Sequence, residues 1–286
     1  MNKNVLTFIG CDSDYDQSDM VLFGAPFDGT TSFRPGTRFA SDAIRKDSDA
    51  LETYSPYIDR DLADYYVIDV GDIDLTLGNT QKVLDEIYTF TKKILNDKKI
   101  PFMVGGEHLV TLPAVKAVYE KYNDLMLIHL DAHTDLRDEL YGERLSHATV
   151  IKRVWEYLGD DKIYQYGIRS GEKHEFEWAK EHTQLVKFTC RPLLDDLKKF
   201  KDTPIYLTID LDVLDPSVFP GTGTPEPGGI FFSEILDIIQ GVTQLNIVAL
   251  DVVELSPHYD MSGVSTAVAC KIIRELMVGL LSKENL

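Results

Sequence analysis

A chain of 286 residues, 44% hydrophobic and 27% charged, carries enough apolar side chain for a sizeable core and is not a disordered polyelectrolyte. Its formal net charge of −18 disfavours nucleic acid and anionic membrane as partners and draws in small cations, although an acidic surface also serves plain solubility. Cys11, Cys190 and Cys270 are odd in number and widely spaced, so they form neither a disulfide framework nor a metal pattern, and a reducing cytoplasm is the expected compartment. The N-terminus shows no basic-then-apolar leader, since Val5–Gly10 is too short, and no apolar run is long enough to span a bilayer.

Strand-like runs rich in Val, Ile, Leu, Tyr and Phe follow one another at Met20–Phe27, Tyr65–Val70, Ile100–Val104, Leu125–Leu130, Lys162–Ile168, Gln184–Phe188, Pro204–Ile209 and Ile247–Val252. Between them lie helical patterns. Thr80–Asn96 sets Val83, Ile87, Phe90, Ile94 and Leu95 on one stripe, and Leu112–Tyr122, Ala148–Leu158, Phe176–His182, Ser233–Gln240 and Val264–Leu281 read likewise. Strands alternating with helices predict right-handed crossovers, and near-continuous apolar strands predict burial on both faces. The fold class is therefore α/β, a three-layer α/β/α arrangement around a mostly parallel sheet of about eight strands. No linker or internal repeat divides the chain, so residues 1–286 are expected to form one domain. The longest loops, Gly10–Asp19 and Thr30–Phe39, lie near the N-terminus.

Ligands of such sheets bind beyond the carboxyl ends of the strands, and the chemistry-bearing residues fall at those ends. Gly105-Gly106-Glu107-His108 follows the third strand. Asp131, His133 and Asp135 follow the fourth at alternate positions, which aims two carboxylates and an imidazole at one point. Asp210 and Asp212 repeat that spacing after the seventh strand, and Glu254 follows the eighth. Either Asp pair or His108 alone would be a solvated strand end or a capping residue. Together, four Asp and two His at strand ends point to metal of the Mn²⁺, Fe²⁺ or Zn²⁺ kind. Four buried carboxylates need countercharge, and two divalent cations supply it.

Other polar residues receive plainer readings. His129 lies a step inside its strand and reads as a buried, hydrogen-bonded core histidine, while His174, His182 and His258 receive no role. Asp69, Asp72 and Asp74 lack a histidine among them and read as solvated loop acids. The run Gly221–Pro225 is a shaped loop without the helix start or Lys of a phosphate-binding motif. His147 is either a helix-entry residue or a proton shuttle over the metals. Glu254 is either a surface acid or the partner of a cationic substrate group.

From about Val21 to the last helix, the motifs GGEH, DAHTD, SHAT, TIDLDVLDPSVFPGTGTPEPGG and DVVELSP resemble the ureohydrolase family of arginases and agmatinases. The segments Phe27–Arg38 and Asp135–Arg137 are similar to those of bacterial agmatinases in particular. The resemblance implies two Mn²⁺ ions per chain. His108, Asp131, Asp135 and Asp210 would hold one, and Asp131, His133, Asp210 and Asp212 the other, with Asp131 and Asp210 bridging. It implies hydrolysis of a guanidinium group to urea by a hydroxide shared between the ions, with agmatine yielding putrescine. Glu254 would grip the guanidinium, and His147 and Asp212 are candidate donors of the proton that the leaving amine needs. Rival readings are arginase, guanidinobutyrase, aminopropylagmatine hydrolase, and a silent polyamine-binding relative. A deacetylase on the same architecture lacks its paired-His base here. Ala148 and Ser41 depart from common family residues, and Glu143 and Arg137 stand where arginases recognise the substrate's carboxylate. The apolar C-terminal helix and the family likeness lead to an expected homo-trimer or homo-hexamer.

Overall fold

The computed structural model describes residues 6–282, so the Val5–Gly10 run begins outside the described residues. All eight strand-like runs form strands: β1 (Met20–Ala25), β2 (Val67–Asp72), β3 (Ile100–Gly105), β4 (Met126–Leu130), β5 (Ile163–Ile168), β6 (Gln184–Lys187), β7 (Ile205–Asp210) and β8 (Ile247–Val253). They join in one sheet of order β2-β1-β3-β8-β7-β4-β5-β6, with every neighbouring pair parallel. The order has a simple origin in the chain path. After β3 the chain crosses to β4 and builds outward through β5 and β6. It then returns to place β7 beside β4 and β8 beside β3, filling the middle.

The helices are α1 (Ala40–Ser48), α2 (Thr80–Asn96), α3 (Thr111–Tyr119), α4 (Val150–Leu158), α5 (Lys173–His182), α6 (Pro192–Asp196), α7 (Phe232–Val242) and α8 (Val264–Leu281). Side-chain alternation along the strands divides the interior into two cores. Val21 and Phe23 of β1 face Ile87 of α2, Val115 of α3 and Val154 of α4, whereas Met20 and Leu22 belong with Ile44 of α1, Ile238 of α7 and Leu276 of α8. Helices therefore cover both faces, giving the three layers. Helix α8 is buried along most of its length within its own chain, from Ala269 to Leu280. Its apolar character is used internally and lends no support to an oligomer.

Helices α1 and α6 and a two-residue strand pair, Tyr54–Ser55 with Arg60–Asp61, fall where sequence periodicity gave no element. The reading of Asp69 as a solvated acid is also corrected, and Asp72, though exposed, is ion-paired. Asp69 is buried and accepts from the backbone N–H of Phe8 and Gly71, and Arg45 of α1 pairs with Asp69 at 2.8 Å and Asp72 at 2.5 Å. A cation 24 residues upstream of Asp69, on a helix with no strong apolar pattern, neutralises them. Asp74, like Asp72, is exposed. Among the described residues, no helix is long and apolar enough to cross a membrane.

Candidate metal centre and substrate cavity

The four adjacent central strands β3, β8, β7 and β4 end side by side, and the residues just past their ends converge. His108 opens a 3₁₀ turn into α3, and the approach to it is tight. A Cβ on Gly106 would lie 1.8 Å from the carbonyl oxygen of Phe27, so only glycine lets β3 end there. Asp135 (φ 52°) and Glu254 (φ 68°) hold left-handed backbone, which is uncommon for residues with a Cβ and clusters at functional positions. Those turns swing the side chains back over the sheet edge.

His108 Nδ1 lies 3.1 Å from Asp131 Oδ2, 3.1 Å from Asp135 Oδ2 and 3.3 Å from Asp210 Oδ2. His133 Nδ1 lies 3.0 Å from Asp212 Oδ2 and 3.5 Å from Asp131 Oδ1. Two groups of ligand atoms result, one containing His108, Asp131 and Asp135 and one containing His133 and Asp212, with Asp131 common to both. Asp210, through its contact with His108, sits at the first, and its Oδ1 accepts from the N–H of Asp212 at 2.8 Å. The structure thus gathers all six residues expected from the sequence. Apart from His133, which is part-exposed, they are buried.

The electrostatics call for cations. Burial, Asp212 and Asp131 together push Asp210 well above the carboxylate range, and burial and Asp131 push Asp135 up to about 7. For Asp131 burial is outweighed by its histidine partners, which hold it well below that range. Burial alone would lower His108, but its carboxylate neighbours lift it well above its ordinary value. Its Nδ1 nevertheless makes a well-directed hydrogen bond to none of the three oxygens. An imidazole nitrogen facing three carboxylates in this way suits a shared cation better than a shared proton. The mixed oxygen and nitrogen donor set, divided into two groups around one carboxylate, fits a pair of divalent ions.

His129 is wholly buried and hydrogen-bonded, as its place in the strand suggests, but it lies within the first ligand group. The Gln165 amide donates to the Thr134 carbonyl and reaches His129 Nδ1 at 3.1 Å. That leaves the proton on Nε2, which donates to Asp131 Oδ2 at 2.7 Å. His129 therefore steadies the shared carboxylate from behind. Its sequence position, two residues before Asp131, was the available signal.

Above the cluster opens a cavity of about 330 Å³ whose lining includes His108, His133, Asp135, His147, Asp210 and Glu254. Glu254 is buried, and its Oε1 accepts from the His108 N–H at 2.7 Å. Burial and Glu107 push its carboxyl well above the ordinary value, which marks it as an acid awaiting a positive partner. His147 enters α4 through a turn capped by Ser146. Its Nδ1–H donates to the Thr30 carbonyl at 3.0 Å, leaving Nε2 to accept from the Ser32 hydroxyl at 3.2 Å. Burial lowers its value to about 4, so the ring is neutral near pH 7.

Sequence reasoning missed three participants. Glu107 is buried, pushed up to about 7 by burial, and clamps the Thr30 N–H with the Thr30 and Thr31 hydroxyls, so it steadies the loop on which His147 rests. Glu172 and Glu175 line the cavity with Arg137, which lies 3.1 Å from Glu172 Oε1 and 3.7 Å from Glu175 Oε2. Glu143, expected beside the substrate, is exposed and outside the cavity lining; a bend pairs it with Leu140 at the surface. Of the remaining histidines, His182 stacks on Trp178, His258 meets Phe39 edge-on, and His174 is exposed beside Glu172.

A parallel sheet of this order, with a His/Asp cluster suited to two metal ions at the ends of its central strands, defines a metallohydrolase of the ureohydrolase type. Residues 18–279 match the model of the arginase family, and the chain belongs to that family. It is 48% identical over 276 residues to an agmatinase of Bacillus subtilis (strain 168), covering 95% of each chain. It is 32% identical to a guanidinobutyrase of Pseudomonas aeruginosa, covering 93% of this chain and 87% of that one. The solved structure of an agmatine ureohydrolase of Thermoplasma volcanium superposes with a TM-score of 0.89 at 30% identity, covering 97% and 94% of the two chains. The protein is a guanidino hydrolase of this family.

Proposed function

We propose that this enzyme hydrolyses agmatine to urea and putrescine, using two Mn²⁺ ions. His108, Asp131, Asp135 and Asp210 would hold one ion, and Asp131, His133, Asp210 and Asp212 the other. The observation that carries the reading is the shared Asp131 between two ligand groups, with Glu254 beside them on the cavity wall. When bound, the ion pair supplies an activated water near neutral pH. Everything else falls to the chain. The Glu254 carboxylate pairs with the guanidinium and aims its carbon at the ions. Asp135 and Asp210, crowded among other anions, favour the positive charge that the substrate retains as its carbon becomes tetrahedral. Neutral His147 takes up a proton at Nε2 and hands it to the departing amine, and Asp212 is the alternative donor.

Agmatine is favoured over acidic guanidino compounds by the far side of the cavity. Arg137 alone would recruit a carboxylate, but Glu172 and Glu175 both pair with it, leaving that wall with one net negative charge. Such a wall suits an ammonium tail. Release of urea from agmatine, arginine and 4-guanidinobutyrate, each with added Mn²⁺, tests the reading. Agmatine should give the highest kcat/KM. Preference for 4-guanidinobutyrate would transfer the assignment to guanidinobutyrase, and no turnover of any of the three would leave a silent polyamine binder.

A further inference from the structure

Behind the ion-facing layer lies a second row of buried polar atoms that the reaction does not touch. His108 Nε2 lies 3.0 Å from Thr208 Oγ1. The Thr208 hydroxyl donates to Asp251 Oδ1 at 2.6 Å, and the Tyr206 hydroxyl donates to Asp251 Oδ2 at 2.6 Å. Thr208 and Asp251 are wholly buried, and Tyr206 nearly so. The strands dictate this arrangement. Tyr206, Thr208 and Asp210 alternate along one face of β7, and Asp251 stands opposite Thr208 in the register of β8. One strand therefore carries a metal-facing carboxylate at its end and the support for another strand's histidine two residues earlier.

Counting hydrogens fixes the direction of the relay. A hydroxyl has one proton, and that of Thr208 is committed to Asp251, so the Thr208 oxygen accepts from His108. The imidazole proton is thereby held on Nε2. Nδ1 becomes the atom that can exchange a proton for a cation. A buried carboxylate is costly unless hydrogen-bonded, and both oxygens of Asp251 face hydroxyl donors of β7.

Resting on the binuclear reading above, we propose that Thr208 and Asp251 are positioning residues: they lock His108 with Nδ1 toward Asp131, Asp135 and Asp210, and so set the affinity of the one cation position that His108 serves. His133, on the other position, stands apart from this relay. Partners behind a ligating histidine typically change metal affinity about 10–100-fold.

The test uses the full-length chain, stripped by chelation and titrated with Mn²⁺ by calorimetry. Thr208→Val removes the hydroxyl while keeping the shape, and Thr208→Ser keeps the hydroxyl. Thr208→Val should weaken one of the two Mn²⁺ affinities about 10–100-fold and leave the other close to wild type, with Thr208→Ser restoring it. Asp251→Asn, which keeps an acceptor but loses the charge, should weaken the same ion and provides the test should the valine variant not fold. Both ions bound at wild-type affinity by Thr208→Val and Asp251→Asn would overturn the proposal. So would equal weakening of both ions, or a serine variant as weak as the valine one. A wild-type chain that binds fewer than two Mn²⁺ would instead overturn the binuclear reading, which the urea assay examines separately.

Discussion

Removing one ligand from a shared metal centre should have an effect that depends on whether the ligand is shared. Asp131 belongs to both ligand groups, whereas His108 touches one. Asp131→Asn should therefore lose both ions and His108→Asn only one. The consequence for stability can be worked out. Unfolding entropy of about 2.1 cal/mol/K per residue gives roughly 0.6 kcal/mol/K for a chain of 286 residues. An ion present at about 100 times its Kd adds about 2.7 kcal/mol, or roughly 4–5 °C in Tm. Chelation should thus lower the wild-type Tm by about 9 °C, that of His108→Asn by about half as much, and that of Asp131→Asn hardly at all. Elemental analysis of the same samples should give two, one and no ions per chain. If Asp131→Asn kept two ions and its full chelation shift, the bridging role would be wrong.

His147→Asn should keep both ions while kcat falls about 10²–10⁴-fold, and loss of an ion on analysis would make this residue a ligand instead. The same histidine carries a pH signature: its value in the folded chain, about 4, lies below the ordinary value near 6.5, so the unfolded state binds more protons in that window. Its contribution to stability is thus complete above pH 6.5 and is lost as pH falls toward 4, and urea unfolding of His147→Asn should show a shallower decline across that range than wild type. Glu254→Gln, which removes the guanidinium's countercharge, should raise KM and lower kcat, costing about 2–4 kcal/mol in kcat/KM; unchanged kinetics with agmatine would refute the pairing. Arg45→Met leaves Asp69 buried without its cation and should cost about 3–5 kcal/mol, a fall of roughly 5–8 °C in Tm; a shift below about 2 °C would show that the backbone donors to Asp69 suffice.

The strands and ligands were legible in the sequence for the same physical reason. A buried parallel strand is a run of apolar residues, and its C-terminal end is where polar ligands can appear, so Leu125–Asp135 announces both. What escaped was set by partners distant in the chain. Asp69 reads as solvent-facing until α1 brings Arg45 against it, and α1 itself, ASDAIRKDS, is too short and polar for its periodicity to stand out. Glu143 lies near the active-site histidine in sequence, but the bend at Leu140–Glu143 turns it outward. Glu172 and Glu175 reach the cavity only because β5 lies beside β4. The likeness to arginases and agmatinases from about Val21 to the last helix agrees with the family match over residues 18–279.

The order in which the sheet is filled has a bearing on the protein's synthesis. Strand β8 lies at the middle of the sheet but is the last strand to be made, so until Ile247–Val253 emerges β3 and β7 each present an open, apolar edge to the other. Such edges are templates for pairing with another chain, and the nascent protein is most exposed to that hazard just before completion. The metal ligands from β3 and β7 come into contact across the place that β8 fills. Divalent ions available during translation would therefore favour the finished sheet over its open precursor, and depletion of those ions would be expected to show first as aggregated newly made chains rather than as slow enzyme.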